Sequence, residues 1–167
     1  LFSQDLNNSG VFFQDQKLQL LEQTSKSIVL VTPDAERTMN TFLGASNKFY
    51  KNSVDQEIII KSSMIYIEGY LFDQSEAKET IYHCCNLAKN NNKTIALSLS
   101  DLFCVDRHRK DFLNLINKYV DIIFANEHEI KSLFQLDLKT SIDNIKNNID
   151  VGAITLGSQG AVVFEKG

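Results

Sequence analysis

The stretch TIALSLSDLFCVDRHRKDFLNLINKYVDIIFANEHEIKSLF, residues 94–134, decides the fold. It opens on a short apolar run, Thr94–Leu99, followed by Ser100 and Asp101. A helical period follows from near Asp106, with Phe112, Leu113, Ile116 and Val120 keeping the spacing of one buried side. Asp121–Ala125 then reads as a strand of buried type, built on Ile122-Ile123-Phe124, and Asn126–Phe134 as a second helix. This alternation predicts parallel strands joined by right-handed crossovers.

The same grammar extends both ways. Upstream, Met64–Ile67 is an apolar run ending in Glu68-Gly69-Tyr70. A helix follows, with Asp73 as N-cap and Glu76 at capping-box spacing. Its buried face is Ala77, Ile81, Cys84, Cys85 and Ala88, and Asn90-Asn91-Asn92 closes it as a polar turn. Downstream, a helix near Ser141–Asn148 turns Ile142 and Ile145 inward. Two strands follow, Val151–Leu156 and Ala161–Glu165, split by Gly157-Ser158-Gln159-Gly160. The expected class is α/β: a doubly wound, Rossmann-like parallel sheet with helices covering its faces.

The first third reads differently. Gly10–Gln14 carries Val11, Phe12 and Phe13, Ile28–Val31 stops at Pro33, and Arg37–Leu43 sets Met39 and Phe42 among threonines. These short runs predict a small sheet or flap. With seven glycines, one proline and no repeat, residues 1–167 read as a single domain. Residues from about 10 to 50 hold the flap strands and 63–167 the alternating core.

Composition narrows the function. Hydrophobic residues make up 43% and charged residues 23%, ordinary values for a globular chain. There is no apolar run of transmembrane length, and Leu1 to Gly10 lack the basic start of a signal peptide. These features argue against membrane association, and the formal net charge of −4 argues against general nucleic-acid binding. Cys84, Cys85 and Cys104 make no disulfide framework and point to a reducing, cytoplasmic setting. The histidines His83, His108 and His128 show no metal-ligand spacing with them.

Parallel sheets bind ligands beyond the carboxyl ends of their strands. Those ends here are Glu68-Gly69, Ser98–Asp101, Asn126–Glu129 and Thr155–Gly160. Asn126 and Glu129 fit a capping box, the reading their spacing favours, and the same pair fits a carboxylate that holds magnesium beside phosphates. Thr155, Gly157 and Gly160 fit a hairpin turn, and equally a loop whose backbone approaches phosphate or ribose. Arg37 is either a solvated strand residue or a phosphate clamp. Glu68 either points to solvent or accepts a sugar hydroxyl. Ser98, Ser100 and Asp101 invite a hydrolase triad with a histidine, but there is no Gly-x-Ser-x-Gly elbow. A dinucleotide-binding domain lacks its glycine fingerprint.

Taken in order, VTPDAERTMNTFLGAS (31–46), IYIEGYLF (65–72), LSLSDLFCVDRHR (97–109), ANEHE (125–129) and TLGSQGAVV (155–163) resemble the ribokinase-like (PfkB) carbohydrate and purine kinases, including their adenosine-kinase-like members. The family's Asn-x-x-Glu matches Asn126 and Glu129, and its Thr-x-Gly-x-x-Gly matches Thr155, Gly157 and Gly160. The resemblance implies transfer of the γ-phosphate of ATP, with Mg2+, to a hydroxymethyl group of a sugar or nucleoside. It places Asn126 and Glu129 at the metal, Thr155, Gly157 and Gly160 at the nucleotide, Arg37 in the lid near phosphates, and Glu68 on the acceptor. It also implies that the flap strands are part of a β lid, through which a homodimer could form.

The family's glycine-rich sugar segment and its Gly-Ala-Gly-Asp base motif do not occur in residues 1–167. The chain is therefore expected to be an internal piece of a kinase, inactive alone. The alternative is a non-catalytic nucleotide- or sugar-binding module on the same fold. Members often carry a proline where this chain has Leu102.

Overall fold

The computed structural model describes residues 2–13 and 23–166. They fall into two compact units, Leu1–Lys48 and Phe49–Gly167. The first contains helix α1 (Phe2–Asn8) and the strands β1 (Lys26–Val31) and β2 (Arg37–Phe42). The second contains, in chain order, α2 (Gln56–Lys61), β3 (Met64–Glu68), α3 (Ser75–Asn90), β4 (Thr94–Ser98), α4 (Leu102–Lys118), β5 (Ile122–Asn126), α5 (Glu127–Phe134), α6 (Leu138–Lys146), β6 (Val151–Thr155) and β7 (Ala161–Glu165).

In the first unit, β1 and β2 pair antiparallel in the register Ile28↔Asn40, Leu30↔Thr38 and Val31↔Arg37. Pro33 and Asp34 sit in the turn between them, and Ala35 takes the left-handed conformation with φ 68°. The Thr32 N–H donates to the Glu36 carbonyl at 3.0 Å and closes the loop. This is the small flap expected there. The strand expected at Gly10–Gln14 is absent from the described part, and Gln14 lies outside the described residues. Gly10, with φ 75°, caps α1 instead: the Val11 N–H donates back to the Leu6 carbonyl at 2.9 Å. The glycine that resembles a strand start is a helix stop.

In the second unit the strand order is β3-β4-β5-β6-β7, the first four parallel and β7 antiparallel to β6. This is the mostly parallel α/β sheet expected from the alternating pattern. The strand order never reverses, so each right-handed crossover steps the same way and lays its helices on the same face. Ile67, Leu97, Ile123, Ile154 and Phe164 point into that face and are buried. The registers put Tyr66, Ala96, Phe124, Ala153 and Val163 on the opposite face. There Val163 is 70% exposed. Among the described residues of the second unit, then, its own helices cover one face of the sheet rather than both.

The predicted stripe of α3 (Ala77, Ile81, Cys84, Cys85, Ala88) is wholly buried. All three cysteines are free and buried. Ile81 alone, fully buried, contributes about 1.5–3 kcal/mol relative to exposure, at least as much as a helix cap at about 0.5–2 kcal/mol.

Three helix starts differ from expectation, the simplest being α6, which begins at Leu138 rather than near Ser141 because Asp137 caps it, accepting from the Thr140 N–H at 3.1 Å. Asp73 does not cap α3; the cap position is Gln74, which makes no side-chain cap bond. Asp73 ends a 3-10 turn, Gly69–Asp73, and accepts from Arg107 Nε at 3.0 Å and Nη2 at 2.8 Å and from His108 Nε2 at 2.7 Å. A bidentate, charge-assisted pair outcompetes a backbone cap. Helix α4 starts four residues before Asp106, because Asp101 accepts from the N–H groups of Phe103 (2.8 Å) and Cys104 (3.2 Å). A break in helical geometry at His108 (φ −120°, ψ 21°) explains why the period is regular only beyond it. Helix α2, capped by Asp55, has no counterpart among the expected elements, because the β-branched run Ile58-Ile59-Ile60 carries no helical period.

Gly69 follows β3 and packs against the chain just beyond β4. A Cβ there would come within 2.7 Å of the Leu99 carbonyl oxygen. Gly69→Ala is expected to destabilise the full-length protein by about 1–3 kcal/mol through overpacking. Urea unfolding checks this; an unchanged midpoint would show that the two strand ends can separate freely.

Candidate functional site

The residues expected to carry chemistry in the second unit gather at the carboxyl ends of β3, β4, β5 and β6. Glu68 pairs with Ser98, Ser98 with Phe124, and Asn126 with Thr155. Because side chains alternate along a strand, Glu68, Ser98, Asn126 and Thr155 emerge on one face, the exposed one. A cavity of 230 Å³ opens there, lined among others by Ser98, Ser100, Phe124, Asn126, Glu129 and Thr155.

Asn126 and Glu129 form a complete capping box at the start of α5. Asn126 Oδ1 accepts from the N–H groups of His128 and Glu129, each at 2.9 Å. Glu129 reaches back, its Oε2 accepting from the Asn126 N–H at 2.9 Å and its Oε1 from Asn126 Nδ2 at 2.7 Å. The structural half of the dual reading is therefore realised. Yet Glu129 is only 5% exposed. Burial pushes its carboxyl above the ordinary value, and the negative charges of Asp101 and Glu68 push the same way, against the Asn126 backbone bond. Tyr70 feels the same field: burial raises its phenol, as do the charges of Asp101, Glu129 and Glu68.

Glu68 is half-buried and partnered on both oxygens. Tyr66 Oη donates to its Oε1 at 2.8 Å and Ser100 Oγ to its Oε2 at 2.7 Å. Burial, then the bond to Glu68, raises the Tyr66 phenol. Sequence reasoning set Ser98, Ser100 and Asp101 at a ligand-binding strand end, weighed a chemical role for them only in a hydrolase, and passed over Tyr66. Their shared position at strand ends was the available signal; the φ of 69° at Ser100 had none.

Thr155 is exposed at the end of β6. Gly157 and Gly160 have φ of 58° and 92°, and a Cβ on either would meet nothing within 4 Å. Their backbone conformation calls for glycine here, and the loop presents open space. The amides of Gln159 and Gly160 donate within the turn, to Leu156 (3.1 Å) and Gly157 (3.2 Å). Arg37 belongs to the other unit, where it is exposed on β2 opposite Val31.

Asp73, Cys104 and His108 bring one ligand-type atom each within 4.8 Å of one another, so Cys104 and His108 do share a helical face. Arg107 already occupies Asp73. Burial pushes the Cys104 thiol up to about 12, and its Sγ donates to the Gly69 carbonyl at 3.2 Å. The cluster reads as an ion pair beside a neutral thiol.

Residues 1–167 match the family described as "pfkB family carbohydrate kinase". An adenosine kinase from Sinorhizobium meliloti is 35% identical with a TM-score of 0.92, over 99% of this chain and 51% of that one. A "probable sugar kinase protein" from Rhizobium etli CFN 42 is 36% identical with a TM-score of 0.92, over 99% and 51%. Adenosine kinase of Dictyostelium discoideum is 31% identical over 102 residues, which are 59% of this chain and 29% of its own length. The chain thus spans about half the length of the solved structures it matches.

The raised carboxyl of Glu129 has a sign. Its protonated form is the one burial favours, so the stability it contributes is complete below the ordinary value of 4.5 and is lost as pH rises through the raised one. In thermal unfolding of the full-length protein, Glu129→Gln is expected to gain on wild type as pH is raised from 4.5 to neutrality. Parallel curves would place the carboxylate in a less costly environment than its burial indicates.

Proposed function

Since this chain belongs to the pfkB family of carbohydrate kinases, we propose that the protein it is part of transfers the γ-phosphoryl group of ATP to a hydroxymethyl group of a nucleoside or sugar. The observation that carries this reading is the convergence of Glu68, Ser98, Asn126 and Thr155 at four adjacent strand ends on one sheet face, with Glu129 beside them in the first turn of α5. Adenosine heads the candidate acceptors because two of the relatives are adenosine kinases, followed by ribose and fructose.

The residues fit a magnesium ion. The charges of Glu68 and Asp101 bear on the buried Glu129 carboxylate, and among the described residues no lysine or arginine lines the cavity. Oxygen donors with excess negative charge suit a hard divalent cation. Both Glu129 oxygens already accept from Asn126, which favours holding the ion through water. Magnesium, when bound, offsets the charge of the transferred phosphoryl group.

The chain's own residues then divide the work. Asn126 holds the Glu129 carboxylate in place. Glu68 accepts from hydroxyls of the acceptor and orients it. Thr155, Gly157 and Gly160 offer a hydroxyl and an open backbone turn to the nucleotide, and Arg37 approaches phosphates from the hairpin, which acts as a lid. Asp101 is committed to its cap, Glu129 to its box, and Glu68 to Tyr66 and Ser100. None is proposed as the base for the acceptor hydroxyl, so residues 1–167 alone are proposed not to turn over.

The two units are proposed to act as parts of one kinase domain. None of the described helices is long and apolar enough to cross a membrane, and the free thiols fit a cytoplasmic setting. Pairing of two copies through the hairpin belongs to the same proposal, supported by exposed Ile28, Val31 and Met39.

Steady-state phosphotransfer by the full-length protein, with adenosine, ribose and fructose as acceptors, tests the reading. Turnover is expected only with Mg2+, and Glu129→Gln is expected to lower kcat or raise the Mg2+ requirement roughly tenfold or more. Magnesium-dependent turnover unaffected by Glu129→Gln would remove the assigned role. Binding of ATP and acceptor without turnover would instead identify a sensing module.

A further inference from the structure

Ser100 stands two residues beyond β4 in a backbone conformation that L residues seldom adopt, φ 69°. Its hydroxyl accepts from the Gly69 N–H at 2.7 Å and lies 2.7 Å from Glu68 Oε2. The Ser98 carbonyl is also near, at 3.3 Å, but the single hydroxyl proton goes to the shorter, charge-assisted bond. The Ser100 N–H donates to Ser98 Oγ at 3.2 Å, and its carbonyl accepts from Tyr70 Oη at 2.9 Å. One residue thus ties the ends of β3 and β4 together while lining the cavity that holds Asn126 and Glu129.

Residue type decides what this is for. Glycine would take the left-handed conformation without strain but has no donor. Alanine would keep the strain and lose the donor, and threonine would add a β-branch where φ is positive. A serine is explained by its hydroxyl bond. That bond matters because Glu68 and Glu129 repel, and an untethered glutamate side chain would swing out toward water. With Tyr66 on one oxygen and Ser100 on the other, the carboxylate is fixed, and each oxygen keeps further acceptor capacity.

We infer that Ser100 is a positioning residue that holds the Glu68 carboxylate in its acceptor-binding orientation. The inference rests on the reading of Glu68 as the acceptor contact. It separates binding of the acceptor from binding of ATP, because nothing that Ser100 holds belongs to the Thr155–Gly160 turn.

The test is steady-state kinetics of the full-length protein with whichever of adenosine, ribose or fructose the wild type phosphorylates. Ser100→Gly and Ser100→Ala are expected to raise the acceptor KM roughly tenfold, the ATP KM staying within about twofold. Ser100→Gly relieves the backbone strain but leaves the Gly69 N–H without its acceptor, so the unfolding midpoint of each variant is measured beside its kinetics. The double variant Ser100→Gly with Glu68→Gln is expected to match Glu68→Gln alone, since the serine acts through the carboxylate. Independent effects that multiply in the double variant, or an unmoved acceptor KM in Ser100→Gly, would overturn the inference. Should Glu68→Gln raise the acceptor KM while Ser100→Gly does not, Ser100 alone loses its role. If Glu68→Gln itself leaves that KM unmoved, the assignment of Glu68 falls and the positioning role falls with it.

Discussion

Parallel strands must all deliver their carboxyl ends to the same edge of a sheet, and almost everything of functional interest here follows from that constraint. Strands β3 to β6 run together, so Glu68, Ser98, Asn126 and Thr155 meet although up to 87 residues separate them, 155 minus 68. The crossover helices begin at the same edge. Their exposed N–H groups need acceptors, which is why Asp101 and Asn126 stand there as caps. The edge is thus supplied with carboxylates and amides for structural reasons before any ligand is considered.

That supply has a cost. Glu68, Asp101 and Glu129 concentrate negative charge, and Glu129 bears it in a buried position. The fold tolerates this by binding each carboxylate locally: Asp101 to two amides, Glu129 to Asn126, Glu68 to two hydroxyls. The charge is held in place without being neutralised. Carboxylates fixed in place by their neighbours suit a small, hard cation, and the proposed phosphotransfer rests on that arrangement.

Legibility from sequence followed the range of the interaction. The Asn126–Glu129 box and the buried face of α3 were readable because both are set within a few turns of helix. Gly157 and Gly160 were readable as turn glycines because a hairpin between two apolar strands needs positive φ. The start of α3 was misread because Asp73, a good local cap, is claimed by Arg107 and His108 from α4. Gly10 was misread because the residues around it look equally like a strand and like the end of a helix.

By itself, the sequence determined the alternating α/β order, the faces its helices bury and the candidates at the strand ends, since these depend on periodicity and on neighbours along the chain. Only the tertiary structure decided that the helices described in the second unit cover one face of its sheet. It also decided that Tyr66 and Ser100 hold Glu68, and that Glu129 is buried within reach of two other carboxylates. Those facts depend on which strand ends become neighbours across the sheet, and hydrogen bonds and charges act through that distance rather than through sequence separation.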